Sequence, residues 1–448
     1  MKIILLSGGS GKRLWPLSND IRSRQFIKLF KGDDGEYESL FQRMIKRLTN
    51  AGADMADILA VTTRPQVSAL HNQAGDDFRA CVEPCRRDTF PAVVLAAAYL
   101  KDEAGVSSDE AVLVCPVDHY AGDDYYKLML SLTSMTERLH DGIGLIGIAP
   151  TYPSEKYGYL IPGEDGGVKA FEEKPSRAEA EALIKEGAYW NSGCSVFKLS
   201  YILERAHEII DFSDYRDLYM KYDELTPASF DDAVLARQKK LFMVTFDGEW
   251  RDVGTWNMMS EVMDGPVKGN GLLDEECDNT NIINELDVPI LGLGLKDLVI
   301  AASNDGILVS GKERSGYMMP YVNKIASDGG GRFAEKSWGT YKVIDAQPGG
   351  MTIKVDLKAG SSMKYHSHEK RDEVWTVVSG KGAAIVDGME QMIKPGDVIS
   401  IAAGCKHTVI ALTDLHIIET QVGEEVSKSD KNVYEMPEIA MEIISDVR

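Results

Sequence analysis

The sequence predicts an α/β protein whose mostly parallel, helix-wrapped sheet is followed by a small strand-rich connector and a compact C-terminal β-barrel. Three observations carry this expectation. Short apolar runs ending in turn residues alternate with amphipathic stretches through the first 262 residues. The texture then changes to apolar pieces broken by Gly, Asn and Asp, as in GPVKGNGLLD and SNDGILVSG. From Trp338 onward, alternating segments such as DVISIAAG and TVIALTDLHIIETQVG dominate. The expected organisation is therefore an N-terminal domain over 1–262, a connector over 263–326, a Gly-rich polar linker over 327–337 and a barrel over 338–448.

Each element has its own reason. Ile3–Leu6, Ile58–Thr62, Ala111–Cys115 and Gly144–Ile148 are continuous apolar runs, as expected of strands covered on both faces. Residues 36–50, 91–103 and 176–187 read as helices, the last opening on a Ser176 cap with Glu179 three positions on. Sites in such sheets lie beyond the carboxyl ends of the strands, which directs attention to the residues that follow each run.

Composition narrows the function. A 448-residue chain with 44% hydrophobic and 27% charged residues is ordinary for a soluble protein. No apolar run approaches the ~18 residues that span a bilayer, so no membrane partner is expected. Lys and Arg number 49 against 70 Asp and Glu, a net charge of −21 that disfavours nucleic acid as a partner. The six cysteines are scattered, and the Cys81-x3-Cys85 pair lacks the second pair of a zinc site. The opening MKIILLSGGSG is too short an apolar run for a signal segment, so a reducing cytoplasm is the expected compartment.

The first strand runs into Leu6-Ser7-Gly8-Gly9-Ser10-Gly11-Lys12-Arg13-Leu14. Small residues there let backbone N–H groups approach a phosphate, with the next helix N-terminus facing the anion. A Walker A loop is excluded because Arg13 stands where Ser or Thr should follow Lys12, and GxGxxG is excluded by Leu14. A nucleotidyltransferase loop remains. Within residues 1–30, Lys2, Lys12, Arg13, Arg22, Arg24 and Lys28 stand against Asp20 alone, a local inversion of the chain's charge that a triphosphate would explain. Taken alone, GGSG is equally a tight strand-to-helix turn beside a solvated basic face.

LSGGSGKRLWPLS, with Arg24-Gln25-Phe26 after it, closely resembles the signature of sugar-phosphate nucleotidyltransferases, in particular the mannose-1-phosphate guanylyltransferase branch. Further segments are similar to family blocks in the same order. Glu83-Pro84-Cys85-Arg86-Arg87-Asp88-Thr89 resembles the segment that contacts guanine, with Asp88 in place of Asn. Val114-Cys115-Pro116-Val117-Asp118-His119 and Trp250-Arg251-Asp252-Val253-Gly254-Thr255-Trp256 resemble the blocks whose carboxylates, here Asp118 and Asp252, hold Mg²⁺. In isolation a strand-end Asp is as often a helix cap. Tyr157-Gly158-Tyr159, Phe171-Glu172-Glu173-Lys174-Pro175 and Trp190-Asn191-Ser192-Gly193 resemble the sugar-side blocks. There the resemblance assigns hexose contacts to Gly158, Glu173 and Asn191 and the sugar phosphate to Lys174.

The fold implied is a Rossmann-like nucleotidyltransferase domain, a β-helix-like connector and a cupin barrel. The activity implied is GMP transfer from GTP to mannose 1-phosphate, giving GDP-mannose and pyrophosphate. Leu6, Gly8, Gly9, Gly11, Glu83, Arg87, Asp88 and Thr89 would bind the nucleotide, and Lys12, Arg13 and Arg24 would neutralise the leaving pyrophosphate. Asp88 and Lys156, which replaces a small residue before Tyr157, keep open transfer of another base or to another hexose or heptose 1-phosphate; a separate reading is a non-catalytic sugar-nucleotide sensor whose barrel is an oligomerisation module, against which the Asp118 and Asp252 pair argues.

In the barrel, His366-Ser367-His368, Glu373, Pro395-Gly396 and His407 resemble the cupin pattern. Histidines two apart on a strand share a face, and three imidazoles with a carboxylate suit a divalent transition metal such as Zn, Mn, Co, Ni or Fe. Trp338-Gly339-Thr340-Tyr341 and HSHEKRDEVWTVVSG resemble type II bifunctional enzymes that add mannose-6-phosphate isomerase, with His366 where they use Gln. The tail Gly423–Asp430 lacks the Arg those enzymes place there and offers only Lys428 and Lys431, expected to be flexible. The expectation is a bound metal with weak or absent isomerase activity; a homo-oligomer remains open.

Overall fold

The computed structural model describes residues 1–9, 11–135, 142–325, 331–427 and 429–447, so Ser10, positions 327–330 of the expected linker and Lys428 lie outside the described residues. The chain divides into two compact units, Met1–Gly11 with Ser23–Asp264, and Lys12–Arg22 with Gly265–Arg448.

The first unit is built on a mixed sheet. Its strands are β1 (Lys2–Leu6), β2 (Ile58–Thr63), β3 (Ala80–Glu83), β4 (Ala111–Pro116), β6 (Ile143–Ile148), β7 (Gly158–Pro162), β8 (Val168–Glu173), β9 (Tyr189–Lys198) and β10 (Leu241–Phe246); β5 (His119–Ala121) and β11 (Trp250–Asp252) form a separate ribbon. The main path runs β8-β7-β9-β4-β1-β2-β3, with β6 pairing β9 and β10 pairing β6. β1 is parallel to both β2 and β4, whereas β9 is antiparallel to β4 and β6. The residues of β2 and β6 are buried throughout, which is why their sequences are uninterrupted apolar runs.

Helix α1 (Leu40–Asn50) starts later than the expected 36–50. Tyr37–Ser39 is instead extended and pairs with Lys28–Lys31, and Ser39 closes a capping box with Gln42 that defines where the helix begins. Helix α2 (Thr89–Asp102) is apolar around most of its circumference and fills one side of the sheet. Helix α3 (Arg177–Lys185) carries the expected Ser176–Glu179 capping box.

The glycine loop does not open a regular helix. A 3-10 turn over Gly11–Leu14 follows it, and Pro16, which has no N–H to donate, comes two residues later. Residues 12–22 then pack as part of the second unit: Ser303 Oγ donates to Pro16 O at 2.6 Å, Asn19 Nδ2 to Asp305 at 2.9 Å and Arg22 Nη1 to Glu285 at 2.8 Å. Four of the six cations of residues 1–30 have acidic partners of their own. Lys2 pairs with Asp57, Lys12 with Asp20 at 3.7 Å, Arg22 with Glu285, and Arg24 with Asp118.

In the second unit, Val267–Gly269, Asn281–Asn284 and Leu298–Ser303 stack as successive parallel rungs, as do Gly271–Leu273 and Ile290–Gly292. This is the β-helix-like connector; Gly306–Gly311 closes it antiparallel to Leu298–Ser303. The cupin barrel follows as two sheets. One runs Phe333–Lys336, Gly339–Gln347, Gly350–Leu357, Leu415–Gly423, Arg371–Ser379, Val398–Ile401; the other runs Met389–Ile393, Gly382–Val386, His407–Ala411, His366–Ser367, Asn432–Val433. Trp375, Ile399, Val409 and Ile417 are among the residues that fill it. Helix α4 (Glu438–Val447) is the last described element, its Ile439 and Ile443 packed with Tyr365, Ile385 and Ile410.

Candidate active site and metal centre

Three groups of predicted residues meet beyond the strand ends of the first unit. Leu6 ends β1 between Val61 and Pro116, and the glycine loop leaves from it. Gln25 Nε2 donates to Ser7 O at 2.8 Å and Gln66 Nε2 to Gly9 O at 3.1 Å, so two amides that the sequence reading did not single out hold the loop. Gly8 lies against the Glu83 carboxylate, which a Cβ there would push aside, whereas Gly9 faces open space. Glu83, at the end of β3, is buried and accepts a 2.7 Å hydrogen bond from Tyr222. Burial pushes its carboxyl up to about 7, against the opposing hydrogen bond from Tyr222.

Arg87, Asp88 and Thr89 are engaged elsewhere. The Arg87 guanidinium donates to Asp223 O, and Thr89 Oγ1 accepts from Phe230 N at 2.7 Å. Asp88, with φ of 69°, caps α2 by accepting from Thr89 N at 2.7 Å. With ψ of −174° this is an extended positive-φ conformation that favours glycine, so Asp88 is held there against backbone strain, its side chain bonded to the start of the helix.

The second group is the ribbon of β5 and β11. Asp252 lies opposite His119 in the antiparallel register, which brings Asp252 beside Asp118 although they are far apart in sequence. Arg24 completes the group. Its Nη2 pairs with Asp118, its Nη1 reaches Gly254 O at 3.4 Å, and a Cβ on Gly254 would lie 2.8 Å from that guanidinium. Burial alone would raise the Asp118 pKa, but the Arg24 charge outweighs it and holds the carboxyl below its usual range. Arg24 is held protonated by Asp118 and Asp252 against its own burial. His119 is driven down to about 4 by burial, so the imidazole next to Asp118 is neutral. Two carboxylates that already share one cation are hard oxygen donors of the kind Mg²⁺ takes.

The third group surrounds Gly158. It pairs with Glu173 across β7 and β8, and a Cβ on it would lie 2.7 Å from Glu173 Oε2. Lys174, at φ of 48°, turns its ammonium back onto Glu173. Asn191 Nδ2 donates to Asp231 Oδ1 at 2.8 Å. Asp231 is the residue the sequence reading missed; burial, then the Glu173 charge, pushes it up to about 6. Its signal was weak, since Ser229-Phe230-Asp231-Asp232 reads as a helix start and Ser229 does cap Asp232 N. Alongside, Tyr152, Tyr157, Trp190 and Trp250 line a cleft of about 570 Å³ that includes Asp252.

In the barrel, the predicted ligands converge. One nitrogen from each of His366, His368 and His407 lies within 4.8 Å of the others, and all three are buried. Glu373 is 3.0 Å from His368 Nε2 and 3.3 Å from His407 Nε2. His407 Nε2 is buried and, among the described residues, has no well-formed hydrogen bond beyond this approach of Glu373, as a nitrogen facing a ligand would. Around them lie Glu419, whose carboxyl burial and Glu373 push up to about 8, and Arg371, whose Nη2 donates to His368 Nε2 at 3.0 Å. The tail departs from the expected flexibility: Asn432–Val433 is a strand on His366–Ser367, and Lys431 borders the centre, its amine lowered by burial against the raising charges of Glu419 and Glu373.

Among the described residues no helix is long and apolar enough to cross a membrane. The nucleotidyl transferase family model matches residues 2–266, and the cupin domain model matches residues 353–419. Mannose-1-phosphate guanylyltransferase from Escherichia coli K12 is 27% identical over 95% of this chain and 96% of its own. Alginate biosynthesis protein AlgA from Pseudomonas fluorescens is 28% identical over 96% of this chain and 95% of its own. Among solved structures, the Thermus thermophilus protein described as mannose-1-phosphate geranyltransferase superposes with a TM-score of 0.59 at 28% identity, over 73% of this chain and 99% of that one.

Proposed function

The chain belongs to the nucleotidyl transferase family, and from that premise we propose that it transfers GMP from GTP to mannose 1-phosphate, forming GDP-mannose and releasing pyrophosphate. The observation that carries the reading is the Asp118–Arg24–Asp252 assembly, a carboxylate pair with its own cation at strand ends that border the glycine loop. The near full-length likeness to a protein named mannose-1-phosphate guanylyltransferase supports the choice of substrates.

The chemistry asks for position and charge. A phosphate oxygen of the sugar 1-phosphate attacks the α-phosphorus of the nucleotide, and the bond to the β-phosphate oxygen breaks to free pyrophosphate. No general base is needed, because the nucleophile is already an anion. Asp118 and Asp252 would hold Mg²⁺, which when bound supplies charge neutralisation on the phosphate oxygens. Arg24 is a second cation at the same place, preorganised by the carboxylates and by the space that Gly254 leaves. The open backbone at Gly9 offers its N–H to the phosphates. Glu83 faces Gly8 and would accept from guanine's N1–H and amino donors. Glu173, Asn191 and Asp231 offer acceptors and an amide for sugar hydroxyls, and Lys174 an ammonium for the sugar phosphate.

In the barrel, His366, His368, His407 and Glu373 would hold a divalent transition metal, whose chemistry when bound is polarisation of a ligand oxygen. Isomerase turnover is expected to be weak, since no Arg occupies the tail position. The test mixes the protein with Mg²⁺, mannose 1-phosphate and each of GTP, ATP, CTP and UTP. Pyrophosphate release with GTP preferred is expected. Preference for another base, or for another hexose or heptose 1-phosphate, keeps the transferase and changes its substrate; binding without pyrophosphate release would make the chain a sensor.

A further inference from the structure

We propose that residues 429–434 form a strap that positions the histidine centre of the barrel, and that Asp430 is its positioning residue. The inference rests on reading that centre as a metal site.

The three histidines differ in what holds their far nitrogens. His366 Nδ1 bonds Lys364 O at 2.6 Å and His407 Nδ1 bonds Cys405 O at 3.0 Å. Both partners are two residues earlier in the chain, so these two rings are oriented by the local segments that lead into their strands. His368 Nδ1 reaches instead the carbonyl of Asp430, on the tail. In all three rings a carbonyl at Nδ1 requires the N–H there, which leaves the Nε2 lone pair for the centre. At Nε2 itself the neighbours pull both ways, since Arg371 Nη2 at 3.0 Å can only donate whereas the Glu373 carboxylate at 3.0 Å can accept, so the Asp430 carbonyl at Nδ1 is what selects the tautomer.

The Asp430 carbonyl cannot move freely, because the side chain of the same residue is clasped. Asp430 is buried; its Oδ1 accepts from Glu369 N at 2.9 Å and its Oδ2 from Lys370 N at 3.1 Å. Those amides directly follow His368, so the carboxylate fixes the turn that leaves the ligand while the carbonyl fixes the ring. Arg371 is tied to the same segment, its Nη1 donating to Ser427 O at 2.8 Å and to Asp430 O at 3.2 Å. The strap is secured on its other side as well. Val433 pairs with His366, Tyr434 N donates to Tyr365 O at 2.9 Å, and the Tyr434 hydroxyl lies 3.1 Å from Ser367 Oγ. Beyond it, helix α4 packs on the barrel and anchors the tail. A tail that merely covered the barrel would need none of the bonds to His368 and its two following amides.

The test uses the full-length chain with Zn²⁺ as the probe. Chelator competition gives the metal affinity of wild type, Asp430→Ala and Asp430→Asn, and long-range nitrogen NMR reads the His368 tautomer. The expected result is a loss of roughly 10- to 100-fold in Zn²⁺ affinity for Asp430→Ala, with a smaller loss for Asp430→Asn, which keeps one acceptor for the two amides. The metal-free wild type should show His368 protonated at Nδ1, and the Ala variant a mixture. Near-ultraviolet circular dichroism establishes that each variant is folded; if the Ala variant is not, the Asn variant decides by the same two measurements. A folded variant that binds Zn²⁺ as tightly as wild type with an unchanged tautomer overturns the strap. Wild type that takes up no Zn²⁺ overturns the metal reading instead, and the strap is then decided by the tautomer alone.

Discussion

Asp252 and Asp118 illustrate how a single side chain acquires a role only through its neighbour. Each alone is a strand-end carboxylate; together they hold Arg24 charged and present oxygens to a cation. Asp252→Ala is expected to lower pyrophosphate release by orders of magnitude while the unit stays folded, because a site carboxylate is lost and no core residue changes. Near-normal turnover in the folded variant would falsify the assignment. Glu83 gives a prediction in pH. Its folded pKa of about 7 lies above the ordinary 4.5, so the native state favours the protonated form. No cost is present below pH 4.5; it grows as pH rises toward 7 and levels off above, on the order of 3 kcal/mol. Glu83→Gln, which cannot ionise, should therefore gain thermal stability relative to wild type across that window. A difference in melting temperature that is flat from pH 4.5 to 8 would show that Glu83 is not held protonated by burial.

At the scale of elements, the site depends on close backbone approaches between neighbouring strands. Gly158 begins β7 directly against Glu173 at the end of β8, and an added Cβ would stand 2.6 Å from Phe171 Cε2 and 2.7 Å from Glu173 Oε2. Gly158→Ala must therefore displace the carboxylate or the ring. The expected outcome is a KM for the sugar 1-phosphate raised about tenfold or more, with the KM for GTP little changed, measured by steady-state kinetics. Equal rises in both would point to general loosening of the sheet. The same scale explains why sequence patterns located helices well and their starts less well. Ser176 with Glu179 and Ser39 with Gln42 are both capping boxes, but Tyr37–Ser39 was hidden because a three-residue strand carries no period of its own.

For the whole molecule, Asp118, Arg24 and Asp252 belong to one compact unit, and His366, His368, Glu373 and His407 to the other. Stripping transition metal with a chelator and restoring Mg²⁺ alone should therefore preserve GTP-dependent pyrophosphate release, while the barrel melts at a lower temperature because a ligand of its native state has been removed. Loss of transferase activity that only a transition metal restores would contradict this separation of roles.

Much of the candidate site is a set of local patterns in the linear chain, and the reason is local geometry. Glycine spacing, a strand-end carboxylate and histidines two apart are patterns that the period of a strand or the geometry of a turn imposes within a few residues. The parallel core strands were legible for the same reason, being apolar runs buried on both faces. Tertiary structure alone decided three things. It gave N-terminal cations acidic partners far along the chain, Lys2 at Asp57 and Arg22 at Glu285. It recruited Asp231, whose own sequence context reads as a helix start, to Asn191 and Glu173. It also carried the tail back to His368, a bond across 62 residues. Partners at that separation leave no local period to read, because what joins them is the packing of a completed sheet or barrel.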